Sequence, residues 1–370
     1  MDAPALSTFP APLRPLADKV LAGARLDAAD ALACFATPHV LHLGRLADTV
    51  RRRLHGRVAY YNLNRHINPT NVCVYTYNCK FCSFAAMKGE EHAWQMSHEE
   101  IWRFAGEQGG HEVTEFHIVG GLHPDLSLDW YLEMMRGLKQ RYPAAHLKAF
   151  TAIEIGWFAR REKLSIEEVL RRLVEAGLGS LPGGGAEIFA PEVREIICDG
   201  KLDAEEWIEV HRTAHRLGLK SNCTMLYGHV EKPEHRVDHL LRLRALQDET
   251  GGFNAFIPLA YHPENNYMGL KYHTTGLDDL REVATARLVL DNIPHIKAYW
   301  VMVTPKLAQV ALSFGADDLD GTVVEETIYH MAGADTAQMT PRAELVRVVR
   351  EAGFEPVERD TLYRPIDRVA

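Results

Sequence analysis

Cys73, Cys79 and Cys82 fall within ten residues in the order C-x5-C-x2-C, inside Asn68-Pro-Thr-Asn-Val-Cys73-Val-Tyr-Thr-Tyr-Asn-Cys79-Lys-Phe-Cys82. Thiolates are soft ligands, and three on one short loop can hold three irons of a [4Fe-4S] cube while the fourth iron keeps no protein ligand. An iron left open in that way is a place for a substrate to bind. The same thiolates could instead form a zinc knuckle, with His66 or Cys223 as fourth ligand. Structural zinc more often comes as two ligand pairs a dozen or more residues apart, and the chain has no second pair. Cys34, Cys198 and Cys223 have no partner spacing and read as buried or incidental thiols. Six cysteines are too sparse for a disulfide framework in 370 residues.

The elements that must position this loop alternate from about residue 57, where β-branched and aromatic runs are followed by helical periodicity. Strands are expected at 58–63 paired with 67–72, then 115–119, 147–155, 180–189, 220–227, 254–261, 296–304 and 322–325. Ser97-His-Glu-Glu100 and Ser165-Ile-Glu-Glu168 read as capping boxes, the first opening a helix to Gln108. Glu167/Arg171 and Glu168/Arg172 have the stabilising i,i+4 order. Trp207, Val210, Ala214 and Leu217 make one inward stripe over 203–217, and further helices fit 128–141, 236–248, 277–290 and 308–314. Strand followed by helix, repeated some eight times, implies a (β/α)8 TIM-type barrel, full or nearly full, with a doubly wound open sheet as the runner-up. The organisation expected is an N-terminal helical cap over 1–56, the barrel over 57–335, and a C-terminal helix and strand over 336–370 packed on it. In a barrel the loop after the first strand opens at the carboxyl end, where active sites lie.

The balance of 46% apolar and 25% charged residues is that of an ordinary globular chain and excludes disordered, collagenous and coiled-coil classes. With 41 Lys and Arg against 50 Asp and Glu, the net charge of −9 provides no global attraction for nucleic acid or anionic lipid. No apolar run is long enough to span a membrane and the first residues lack a secretory pattern, so a cytoplasmic protein is expected.

The three cysteines after the first strand, with an aromatic at Phe81 before the last of them, resemble the signature of radical S-adenosylmethionine enzymes. The usual first gap in that signature is three residues and here it is five, a departure that bears on the path of the loop. The stretches INPTNVC, CKFCSFAA, FHIVGGLHPDL, LKAFTAIEI, LPGGGAEIF and FGADDLDGTVVEE further resemble the aminofutalosine synthases of menaquinone formation by the futalosine pathway. The dehypoxanthine futalosine cyclases and the deazaflavin-forming FO synthases share much of this pattern. The resemblance implies a [4Fe-4S] cluster held by Cys73, Cys79 and Cys82 and S-adenosyl-L-methionine consumed as a substrate. It also implies a small dicarboxylate acceptor and an electron donor such as flavodoxin or ferredoxin.

Around that centre the resemblance places Gly120 and Gly121, at the end of the second strand, against the methionine amine, although a tight turn would need glycine too. Thr151 and Glu154 are expected to end the third strand, and Glu187 to sit similarly in the fourth-strand region, where a carboxylate can accept both ribose hydroxyl protons. The Pro182-Gly183-Gly184-Gly185 run does not match a dinucleotide-binding loop. His123, His229, His262, Asn265 and Lys306 follow strands and could hold the substrate carboxylates, or be solvated loop residues. Phe150, Phe256, Tyr261, Tyr299 and Trp300 could pack an aromatic ring or the barrel core.

Overall fold

Short apolar strands alternating with capped helices curl this chain into a parallel sheet; the computed structural model describes residues 4–107 and 112–367. The strands are β1 Val58–Asn62, β2 Asn64–Ile67, β3 Glu115–Ile118, β4 His146–Ala149, β5 Leu178–Leu181, β6 Lys220–Tyr227, β7 Phe253–Ala260, β8 His295–Ile296, β9 Asp318–Gly321 and β10 Glu355–Glu358. Strands β2 to β8 lie side by side in sequence order, every pair parallel. The order β10-β1-β9 forms a second parallel sheet.

The two edges of the seven-stranded sheet meet across residues 317–324. Single parallel bridges join Lys297 to Asp318 and Arg65 to Val324, with Ala298 N–H donating to Asp318 O at 2.8 Å and His66 N–H to Val324 O at 2.9 Å. This is a nearly full barrel and not a doubly wound sheet. Its last wall is not the strand expected at 322–325. Val323 and Glu325 have φ of 47° and 61°, left-handed values that break a strand, and Asp320 at φ 69° already makes an irregularity within β9, so regular pairing ends at Gly321.

Ser97 and Glu100 form the expected capping box on helix His98–Gly106; Gln108, where the sequence expects that helix to end, lies outside the described residues. Ser165 caps helix Ile166–Glu175 without closing a box: the Glu168 carboxylate is 2.5 Å from Arg172. The largest departure is 147–155. Phe150 takes φ 59°, the strand stops at Ala149, and Thr151 and Glu154 form a full capping box on helix Ala152–Glu162. Similarly 296–304 keeps a single strand residue, Ile296 at the end of β8, before the short helix Trp300–Val303, whose buried Trp300 indole donates to Gly321 O at 2.8 Å.

Helix 28–36 packs on helices Pro233–Thr250 and Gly276–Val289, helix 40–55 packs on Gly276–Val289, and helix 14–21 packs on helix 40–55. Gly44 permits the closest approach: a Cβ there would stand 2.4 Å from the Phe314 ring. At the amino ends of the strands Asp317 accepts from Arg287 at 2.5 Å and lies 2.6 Å from His295. Within the barrel Lys148 pairs with Glu115 at 2.5 Å, Lys297 with Asp320, and Arg359 with Asp318 at 2.5 Å, so the buried charges below the site are matched.

Candidate active site

The cysteine loop follows β2 and is held by its own backbone. Cys73 N–H donates to Ala86 O at 2.9 Å, Cys79 N–H to Tyr75 O at 2.9 Å and Cys82 N–H to Cys79 O at 3.0 Å. The five residues between the first two cysteines coil into a turn, in which the Thr76 hydroxyl donates to Cys73 O at 2.6 Å. Two distant segments pin it: Lys80 N–H reaches Ile197 O at 2.8 Å, and Tyr267 N–H reaches Lys80 O at 2.7 Å.

All three cysteines line one cavity of about 300 Å³ at the carboxyl ends of the strands, along with Phe81, Gly120, Gly121, Thr151, Glu154 and Glu187. None of the three is in a disulfide. Burial pushes the Cys79 and Cys82 thiols up, so a bound metal must take their protons. Gly121 sits where any side chain would strike the loop: its Cβ would lie 2.3 Å from Val72 O. Burial pushes the Glu154 carboxyl up to about 7, although it accepts from Gly120 N–H at 3.2 Å and from the Thr151 amide and hydroxyl at 2.7 and 2.8 Å. Glu187, at φ 47°, pairs with Lys201 at 2.6 Å, and Lys201 Nζ stands 5.4 Å from the Phe81 ring centre. Burial acts to lower the Lys201 ammonium, but the Glu187 carboxylate hydrogen-bonded to it opposes this, and the ammonium is held high.

Residues 67–243 match the Radical SAM superfamily, and residues 250–370 the CofH/MqnC C-terminal region. Aminodeoxyfutalosine synthase of Thermus thermophilus is 49% identical, covering 96% of this chain and 97% of its own. The enzyme of the same name from Streptomyces coelicolor is 46% identical, covering 95% and 93%. The chain belongs to the aminodeoxyfutalosine synthase family of radical S-adenosylmethionine enzymes. The 5-amino-6-(D-ribitylamino)uracil--L-tyrosine 4-hydroxyphenyl transferase of Methanopyrus kandleri is 41% identical over 87% of this chain and 88% of its own. Among solved structures, methylornithine synthase has a TM-score of 0.70 at 16% identity, covering 92% of this chain and 97% of that one. The FeFe-hydrogenase maturase of Carboxydothermus hydrogenoformans has 0.74 at 17%, covering 95% and 80%; both likenesses concern the fold alone.

A radical S-adenosylmethionine enzyme implies an iron-sulfur cluster and S-adenosylmethionine, and the residues present fit them. Zinc bonded at about 2.3 Å would draw its sulfurs to within about 3.8 Å of one another. Among the described residues, the sets of three or more His, Cys, Asp or Glu ligand atoms within 4.8 Å of each other contain no cysteine. Of the two proposed fourth zinc ligands, Cys223 is wholly buried in β6, its thiol 3.7 Å from Ala255 O, and His66 lines the cavity from β2 without entering such a set with the cysteines. No helix among the described residues is long and apolar enough to cross a membrane.

The residues expected after the other strands divide. His262 lines the cavity and also a second, more open one of about 770 Å³, whose wall includes Lys306. His123 lies outside the cysteine cavity, its Nδ1 accepting from Asp125 N–H at 3.1 Å. His229 is also outside, buried between Leu226 O at 3.1 Å and Glu231 at 3.0 Å. Asn265 is turned away, donating to Met331 O at 2.9 Å. Of the aromatic candidates Tyr261 and Tyr299 line the cavity, whereas Phe150, Phe256 and Trp300 are core.

Two cavity residues escaped the sequence reading, Lys201 and His117, and His66 entered it only as a possible zinc ligand. The parallel register of β2 and β3 sets His66 beside His117, with rings stacked at 4.5 Å and inclined by 10°. Burial lowers both imidazoles, leaving them neutral, and His66 Nε2 is buried without a hydrogen-bond partner. The shared third position in Asn64-Arg-His66-Ile and Glu115-Phe-His117-Ile was the signal available.

Proposed function

We propose that this chain joins the 5′-deoxyadenosyl group of S-adenosylmethionine to 3-[(1-carboxyvinyl)oxy]benzoate, releasing methionine and bicarbonate and forming 6-amino-6-deoxyfutalosine. The near-full-length identity to two aminodeoxyfutalosine synthases carries this reading. When bound, the cluster supplies one electron that breaks the carbon-sulfur bond of S-adenosylmethionine, drawn from a donor of flavodoxin or ferredoxin type. S-Adenosylmethionine is thus consumed as a substrate.

Cys73, Cys79 and Cys82 are the ligands in this reading, and Phe81 with Lys201 closes the loop against solvent. The Gly120 and Gly121 amides already donate within the protein, so the glycine pair meets the methionine ammonium through carbonyl oxygens, beside the Glu154 carboxyl. Thr151 holds that carboxyl in place. Glu187 keeps one oxygen on Lys201 and offers the other to the ribose hydroxyls. A substrate with two carboxylates needs donors inside this largely apolar cavity, and His66 and His117 provide them. Tyr261 and Tyr299 line the cavity and would face the aromatic ring, and the addition needs the double bond within roughly 3 to 3.5 Å of the adenosyl carbon that attacks it.

The uracil-tyrosine transferase chemistry is the second reading, favoured by 41% identity over 87% of the chain. The aminodeoxyfutalosine synthases match over 95% or more, which ranks it second. Anaerobic reconstitution tests the shared centre: the protein should be brown and hold about four irons. Cys82→Ala should lose cluster and turnover together, and turnover retained without iron would refute the mechanism.

A further inference from the structure

The loop between β7 and helix Gly276–Val289 gathers His262, Glu264 and His273, each offering a ligand atom within 4.8 Å of the other two. His262 Nε2 lies 3.2 Å from Met302 O. A carbonyl only accepts, so Nε2 carries the proton and Nδ1 keeps its lone pair, the arrangement of a metal-ligating histidine with an oriented second nitrogen. That Nδ1 is buried without a hydrogen-bond partner, and so is Glu264 Oε2. A buried acceptor without a donor is costly, and two such acceptors on side chains of one ligand-atom cluster call for a cation. His273 Nε2 completes the set at 2.7 Å from Glu264 Oε1.

We propose that His262, Glu264 and His273 bind one divalent transition-metal ion of the zinc class. Two neutral imidazoles and one carboxylate form the ligand set of sites that keep a position open, and here that position faces the cavity of about 770 Å³. Bond lengths of about 2.0–2.2 Å require ligand atoms roughly 3.4 Å apart, so the 2.7 Å His273–Glu264 contact must open and His262 Nδ1 take its place beside them, within reach of side-chain rotation by the half-exposed His273 and Glu264. The ion braces the cysteine loop from outside. Ser83 Oγ donates to Glu264 O at 2.8 Å and Tyr267 N–H to Lys80 O at 2.7 Å, so fixing residues 262–273 fixes the chain around Cys82. His262 is also a wall of the cysteine cavity, which joins the metal to the site without giving it a part in the reaction.

The test uses holoenzyme with its cluster loaded, equilibrated with zinc, desalted and analysed for metals. One zinc per chain should remain beside about four irons, and His273→Ala and Glu264→Gln should each lose the zinc and keep the iron. Manganese(II), which avoids thiolates, provides a second probe: its free electron-resonance signal should be quenched to one equivalent by the wild type and not by His273→Ala. No retained zinc, or equal zinc in wild type and both variants, overturns the proposal. Because the readout is metal content, it stands apart from the identity of the product.

Discussion

Gly121 and Val72 touch so closely that a β-carbon on the glycine would stand 2.3 Å from the valine carbonyl oxygen. The obstacle is backbone and cannot swing away, so the chain leading into Cys73 must shift. Gly121→Ala should destabilise the fold by about 1–3 kcal/mol, the usual effect of overpacking. Iron per chain after reconstitution should fall well below that of the wild type, whereas normal loading would separate this contact from the seating of the loop.

Lys201 and Glu187 form an ion pair at 2.6 Å with side chains only 10% and 7% exposed. Removing one partner leaves the other charge buried and alone, at a cost of about 3–5 kcal/mol. Lys201→Met should therefore lower stability by that order in denaturant titrations. The double variant with Glu187→Gln should lose clearly less than the sum of the two single variants.

Glu154 gives a pH signature. Its folded carboxyl is raised to about 7 from an ordinary 4.5, so between these values the native state holds a proton that the unfolded chain has released. Its contribution is full below pH 4.5 and is lost as pH rises through 7, by up to about 3 kcal/mol. Stability of wild type minus Glu154→Gln should fall across that window. A flat difference would mean that the buried carboxyl is already ionised.

His117→Phe keeps a ring stacked on His66 and removes a donor from the cavity. A hydrogen bond to a charged group is worth about 1.5–3 kcal/mol, so kcat/KM should drop roughly 10- to 100-fold with iron content unchanged.

The gathering of the three cysteines was legible because it is local: they fall within ten residues, and all three line one cavity. The barrel was legible from alternation, and β6 and helix Leu128–Arg141 occupy the spans expected of them. Thr151 and Glu154 were found for the site but assigned to a strand, although Thr151-Ala-Ile-Glu154 is itself a capping box; the left-handed turn at Phe150 that ends the strand leaves no mark in composition. Lys201, His66 and His117 depend on where separate segments come to rest. His66 and His117 meet only through the register of two strands 51 positions apart, and Lys201 only through the path of the loop carrying Glu187. His123 and His229 show the converse, since a place just after a strand did not decide which way the side chain turned.

The most direct test of the account is the product formed anaerobically by reconstituted enzyme from S-adenosylmethionine, dithionite and 3-[(1-carboxyvinyl)oxy]benzoate, read by mass spectrometry. The account predicts 6-amino-6-deoxyfutalosine, with methionine released in equal amount. Free 5′-deoxyadenosine with the benzoate left intact, or turnover only with tyrosine and 5-amino-6-(D-ribitylamino)uracil, would contradict it.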